Sequence, residues 1–253
     1  MLNINNSKFE QHSFVKFAKN FPNQMANESK AQLVIYTILN PFIQLLIKLK
    51  ITPNMITSFG MGLNILATLI FILGAENAQR NELAFVGWGG FTILIAGLFD
   101  MIDGRLARLG NMSSKFGAFY DSVIDRYSEL VMFLGICYYL IAHHFFLSSL
   151  FGFIALIGSM MVSYIRARAE GIGIECSVGI MQRPARVVTI GLSAMLCGIT
   201  HFFIGDVCFK LGDTSIVLFE TISIFTLPLT AVAILSNITA FKRLNHVKQE
   251  LND

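Results

Sequence analysis

Four aspartates packed into a span of twenty-six residues carry most of the chemistry this sequence can offer. Asp100 and Asp103 are three residues apart, and Asp121 and Asp125 are four apart. On helices, each pair therefore shares one face. Long apolar runs flank the segment, so the acids fall where helices would enter a membrane, and ionisable groups there are costly without partners. Hard divalent cations are suitable partners, because they take oxygen ligands and often hold a phosphate beside one or two carboxylates. Gly104, Ala107 and Gly117, between the pairs, let a second helix or a phosphate approach the backbone. Together these residues predict a metal-assisted phosphoryl or phosphodiester site at a membrane surface. A solvated loop joining two apolar helices is the plainer alternative, but it gives the acids no reason to keep helical spacing.

The elements that must position these acids follow from composition. The chain has 253 residues, 54% apolar and only 14% charged, with a mean hydropathy of +0.62. That balance excludes an ordinary soluble domain and predicts an all-α, polytopic membrane protein. A net charge of +3, with cations at segment ends rather than among stacking aromatics, argues against a nucleic-acid partner. The 23 phenylalanines suit helices that face the lipid bilayer. Cys137, Cys176, Cys197 and Cys208 show no zinc-site spacing and are expected as free thiols. The polar, mixed first thirty residues do not read as a cleavable signal peptide.

Three regions are expected: a juxtamembrane segment over 1–50, a six-helix domain over 51–245 and a tail over 246–253. Residues 1–30, with Lys8, Lys16, Lys19 and Lys30, read equally as a surface segment near headgroups or as a plain frayed terminus. Residues 31–50 are apolar, interrupted by Pro41 and closed by lysines, which predicts an amphipathic in-plane or re-entrant helix. Six transmembrane helices are then expected over about 53–74, 84–101, 115–143, 146–165, 187–204 and 214–240. Thr52 is the expected N-cap ahead of Pro53. Gly87, Gly89, Gly90 and Gly97 are expected helix contacts, Trp88 an interface anchor, and Pro228 a kink. His143 and His144, at the far end of the third span, read as an interfacial turn rather than a metal pair.

Orientation follows from the cations. Of the 19 lysines and arginines, only Arg80 and Lys210 fall on the face opposite the aspartates. The positive-inside rule then puts the aspartate site and both termini in the cytoplasm. Arg166, Arg168, Arg183, Arg186, Lys242 and Arg243 come from three helix ends on that same face. They could form a basic pocket for a phosphorylated, water-soluble substrate, although positive-inside charge alone would also place arginines there.

Asp100, Asp103, Gly104, Ala107, Arg108, Gly117, Asp121 and Asp125 fit the pattern D-x2-D-G-x2-A-R-x8-G-x3-D-x3-D, which resembles the signature of the CDP-alcohol phosphotransferase family at every position. The run SYIRARAEGIG at 163–173 and the run VGIMQRPARVV at 178–188 look like the corresponding region of phosphatidylinositol-phosphate synthases within it. Met181 and Gln182 stand where that subfamily commonly carries an acid before the arginine.

The resemblance implies a transferase that moves a phosphatidyl group from CDP-diacylglycerol to an alcohol, releasing CMP. It implies that Asp100, Asp103, Asp121 and Asp125 bind two divalent ions, Mg²⁺ or Mn²⁺, with Asp125 also the catalytic base. The P-N-x-x-T helix start, with Asn54, Met55, Ile56 and Thr57, is expected to flank the cytidine, and Gly104, Arg108 and Ser114 to contact the ribose and diphosphate. Arg166, Arg186 and Arg243 are expected to hold the acceptor phosphate. Inositol phosphate is the first acceptor expected; glycerol 3-phosphate suits the same pocket, and free inositol or serine would need less of it. The family also implies an inner-membrane homodimer. A divalent-cation transporter is the alternative of another class, but it would need polar groups deep in several spans, whereas these acids cluster at one face.

Overall fold

The computed structural model describes residues 30–80, 82–210 and 217–252. The surface segment expected over residues 1–30 lies outside the described residues, except for Lys30. Helix α1 (Lys30–Lys48) comes first, followed by α2 (Pro53–Asn77), α3 (Ala84–Leu109), α4 (Lys115–Ala142), α5 (Phe146–Glu170), α6 (Arg183–Ile204) and α7 (Ser223–Glu250). A short antiparallel hairpin, β1 (Cys208–Lys210) and β2 (Val217–Glu220), joins α6 to α7.

Each long helix packs on two others in a closed ring, α2 on α3, α3 on α6, α6 on α7, α7 on α5, α5 on α4, and α4 back on α2. Small residues allow the close approaches. A Cβ added to Gly87 would meet the backbone of Gly198 at 2.8 Å, and one added to Gly90 would meet the backbone of Met195 at 2.5 Å. In lipid, where apolar burial gives little drive, such backbone contact is what holds helices together. Phe71, Phe133, Ile136, Phe225 and Leu229 fill the interior, while Leu69, Leu73, Phe91, Leu196, Phe202 and Leu227 stand outward and exposed. An apolar exterior around a packed interior is the pattern of a multi-pass membrane protein.

Five of the helices, α2, α3, α5, α6 and α7, are long and apolar enough to cross a membrane. Helix α4 falls outside that group because Lys115, Asp121, Asp125, Arg126 and Glu129 crowd its first half. Helix α3 does not stop near 101 but runs to Leu109, keeping Asp103, Gly104 and Arg108 on regular helix. Helix α5 likewise runs past 165 to Glu170, and α6 begins at Arg183 rather than 187.

The largest correction concerns the last helix. A span from 214 was expected, but β2 occupies 217–220 and the helix starts at Ser223. The β-branched Val217 and aromatic Phe219 suit a strand, and Val207 N–H donates to Thr221 Oγ1 at 2.8 Å to close the turn. Helix α7 also continues unbroken through 245 to Glu250, so a separate tail is not marked by any helix end at that point. Thr52 occupies the N-cap position of α2 without a side-chain capping bond. Helix α1 runs through Pro41, and its Ile43 and Leu46 pack beside Ile56, Ile102 and Leu106. The four cysteines are free, Cys208 exposed and the others buried.

Candidate active site

Six helix termini meet at one end of the ring: the starts of α2, α4 and α6 and the ends of α3, α5 and α7. The tight connection over 110–114 turns the chain between the two aspartate pairs. Asn111 there adopts φ 52°, a left-handed conformation that asparagine tolerates better than most residues. Ser114 then caps α4 by accepting from Gly117 N–H at 2.9 Å.

The turn brings the pairs together. Carboxylate oxygens of Asp100, Asp103 and Asp121 lie within 4.8 Å of one another. Three hard oxygen donors at that separation suit a divalent cation of the Mg²⁺ or Mn²⁺ type. Asp103 is buried, and Thr57 Oγ1 donates to its Oδ2 at 2.6 Å, fixing the carboxylate from α2. Asp125 lies on the same cleft but is engaged by a different group: Arg183 Nη2 stands 2.9 Å from its Oδ1, while Arg183 Nη1 donates to Asp100 Oδ2 at 2.6 Å. The buried Arg183 Nε has no hydrogen-bond partner among the described residues.

The residues expected around a nucleotide divide. Asn54 and Ser114 converge on Gly117, where an added Cβ would meet Ser114 Oγ at 3.0 Å and Asn54 Oδ1 at 3.3 Å. An added Cβ at Gly104 meets nothing within 4 Å, so the backbone there is open to a ligand. Arg108 is exposed. Thr57 serves Asp103, Met55 points outward, and Ile56 packs beneath α1. The last two thus frame the helix start and offer no polar contact of their own.

The three arginines expected to hold an acceptor phosphate come from the ends of α5 and α7 and the start of α6. They differ in access. Arg166 is exposed and pairs with Glu170 at 2.7 Å. Arg243 is buried and donates to the carbonyls of Val178 at 2.8 Å and Val162 at 2.6 Å. Arg186 is 0% exposed, with Nε and Nη2 both donating to Glu129 Oε1 and Nη1 donating to the Met181 carbonyl.

Two residues of this end were not assigned such places from the sequence. The sequence places Arg183 only among the basic residues of the helix ends and gives Glu129 no role. A signal for Glu129 was present: Asp121, Asp125 and Glu129 recur every four residues and so line one face of α4.

Comparison with known proteins gives concordant results. The sequence model of the CDP-alcohol phosphatidyltransferase family matches residues 50–238. A phosphatidylinositol phosphate synthase of Mycobacteroides abscessus is 30% identical over 164 residues, covering 64% of this chain and 70% of the relative. The crystal structure of the Mycobacterium tuberculosis phosphatidylinositol phosphate synthase with CDP-DAG bound superposes with a TM-score of 0.65 at 25% identity, covering 83% of this chain and 94% of that one. The structure of the same synthase with manganese and citrate gives a TM-score of 0.63 at 25% identity, covering 82% and 87%.

Proposed function

The chain belongs to the CDP-alcohol phosphatidyltransferase family, and on that premise we propose that it transfers the phosphatidyl group of CDP-diacylglycerol to inositol phosphate, giving phosphatidylinositol phosphate and CMP. The observation that carries the reading is the convergence of Asp100, Asp103 and Asp121 at the bundle end to which α5, α6 and α7 bring Arg166, Arg186 and Arg243. An acidic cation site beside a basic cluster suits a diphosphate donor and a phosphorylated acceptor.

In this reading all six long helices cross the inner membrane, α1 lies in its cytoplasmic surface, and the site and both termini face the cytoplasm, in keeping with the positive charge at that end. The protein acts as a homodimer. Asp100, Asp103, Asp121 and Asp125 hold two divalent cations, Mg²⁺ or Mn²⁺, which when bound neutralise the diphosphate and the charge developing on the attacking and leaving oxygens. Asn54, Thr57 and Ser114 line the nucleotide side, Gly104 gives the ribose and phosphate room, and Arg108 reaches the diphosphate. Arg166, the exposed arginine, meets the acceptor phosphate first, with the buried Arg243 and the Glu129-paired Arg186 behind it.

Asp125 takes the proton of the acceptor hydroxyl. That oxygen bonds to the lipid-side phosphorus, and the bond from this phosphorus to the CMP oxygen breaks. The test is direct: purified protein is incubated with CDP-diacylglycerol, Mg²⁺ and, separately, inositol phosphate, glycerol 3-phosphate, inositol or serine, and the lipid product is identified by mass. Phosphatidylinositol phosphate from the first incubation alone is the expected outcome. A phosphatidylglycerophosphate product would reassign the acceptor, and CMP released in none of them would remove the reading.

A further inference from the structure

Arg183 sits against two local preferences. It is the first residue of α6, where the partial positive charge of the helix end disfavours a cation, and only 20% of its side chain is exposed. Its compensation is wholly tertiary, one Nη on Asp100 of α3 and the other on Asp125 of α4. With this fork in place the cleft it lines has a free volume of about 10 Å³, room for about one water-sized group. Asp100 has two claimants, because it also belongs to the oxygen trio with Asp103 and Asp121. Among the described residues Arg183 makes no ion pair with those two acids.

Resting on the reading that these acids bind divalent cations, we propose that Arg183 is an internal counter-cation of the site. It neutralises Asp100 and Asp125 before metal arrives and cedes both as the site fills, so it sets divalent affinity and the order of filling. Asp103 and Asp121 receive a first cation, and Asp125 becomes available only once the guanidinium has moved. The exchange also opens the cleft, since the arginine that spans it is the group displaced. Four acids converging without such a group would repel one another in a poorly solvated site, which is the physical reason for an arginine here.

Titration of the detergent-solubilised full chain with Mn²⁺, with free ion read by electron paramagnetic resonance and no lipid present, tests this without recourse to turnover. Arg183→Gln is expected to bind Mn²⁺ at least about tenfold more tightly than wild type, because a unit charge a few ångströms from a divalent ion is worth that much even in water. Arg183→Lys, which keeps the charge but loses the fork, should fall between. In chelator the Gln variant should melt below wild type, and Mn²⁺ should restore it; an arginine that serves packing alone would leave both conditions equally weakened. Affinity unchanged or lowered in both variants overturns the counter-cation role and leaves the metal reading intact. Wild-type protein that binds no Mn²⁺ removes both. Should the Gln variant fail to fold even with Mn²⁺, the Lys variant decides, and wild-type affinity there counts against the proposal.

Discussion

Arg183 and Arg186 lie one turn apart on the same helix and take carboxylate partners one turn apart on α4, yet their surroundings differ sharply. Arg183 divides its fork between two acids on two helices at the edge of a cleft. Arg186, 0% exposed, gives two donors to a single oxygen of Glu129 and a third to a backbone carbonyl. Three residues of helix rise, about 4.5 Å, separate a pairing that a cation can contest from one sealed in the protein interior. Depth below the helix ends, more than residue type, therefore decides which charged groups can do chemistry and which hold the bundle together.

Breaking the chemical side of this comparison should give the largest effect. Asp125→Asn should lower CMP release by roughly 10²- to 10⁴-fold, the usual worth of a general base, with the thermal unfolding midpoint close to wild type; full activity in that variant would end the base assignment. The sealed side should answer in stability. Glu129→Ala strands a buried guanidinium and should cost about 3–5 kcal/mol, measured by thermal or denaturant unfolding in detergent. The paired replacement Glu129→Leu with Arg186→Met should recover most of that loss, since apolar residues can stand in for a buried ion pair.

Arg166, the exposed member of the basic cluster, sharpens the contrast from the other direction. Arg166→Ala should change stability by no more than about 1 kcal/mol, because its pair with Glu170 is a solvent-screened i,i+4 contact. It should raise the KM for inositol phosphate about tenfold or more through the lost charge-assisted bond, with the KM for CDP-diacylglycerol unmoved. A rise in both constants would place Arg166 outside the acceptor site. The smallest effect is expected at the opposite end, where Arg80 stands 3.5 Å from Glu220 and over the ring of Phe145. Arg80→Ala should cost at most about 1 kcal/mol and leave product formation unchanged.

Much of this architecture was legible in the chain. Apolar runs bounded by charge marked the helices from α2 to α6, because the bilayer imposes one length and one composition on any span. Helical spacing placed the aspartates on shared faces, and the cation asymmetry gathered the basic ends. Boundaries drifted where apolarity stopped before the helix did, as at Met101 in α3 and Ile165 in α5, since polar residues continue a helix that emerges from lipid. The hairpin before α7 was missed because Val217 and Phe219 carry enough hydrophobicity to resemble the start of a span.

What the sequence determined by itself was the class of protein and the residue types at its working end, because membrane solvation and helical periodicity act locally along the chain. The tertiary structure decided the partners: that Thr57 holds Asp103, that Arg183 bridges Asp100 and Asp125, and that Arg186 is committed to Glu129. These pairings join helices dozens of residues apart, and side-chain charges fall into balance only when the ring closes and water is excluded. An arginine on a helix end looks the same in a sequence whether it faces a substrate, a carboxylate or the solvent.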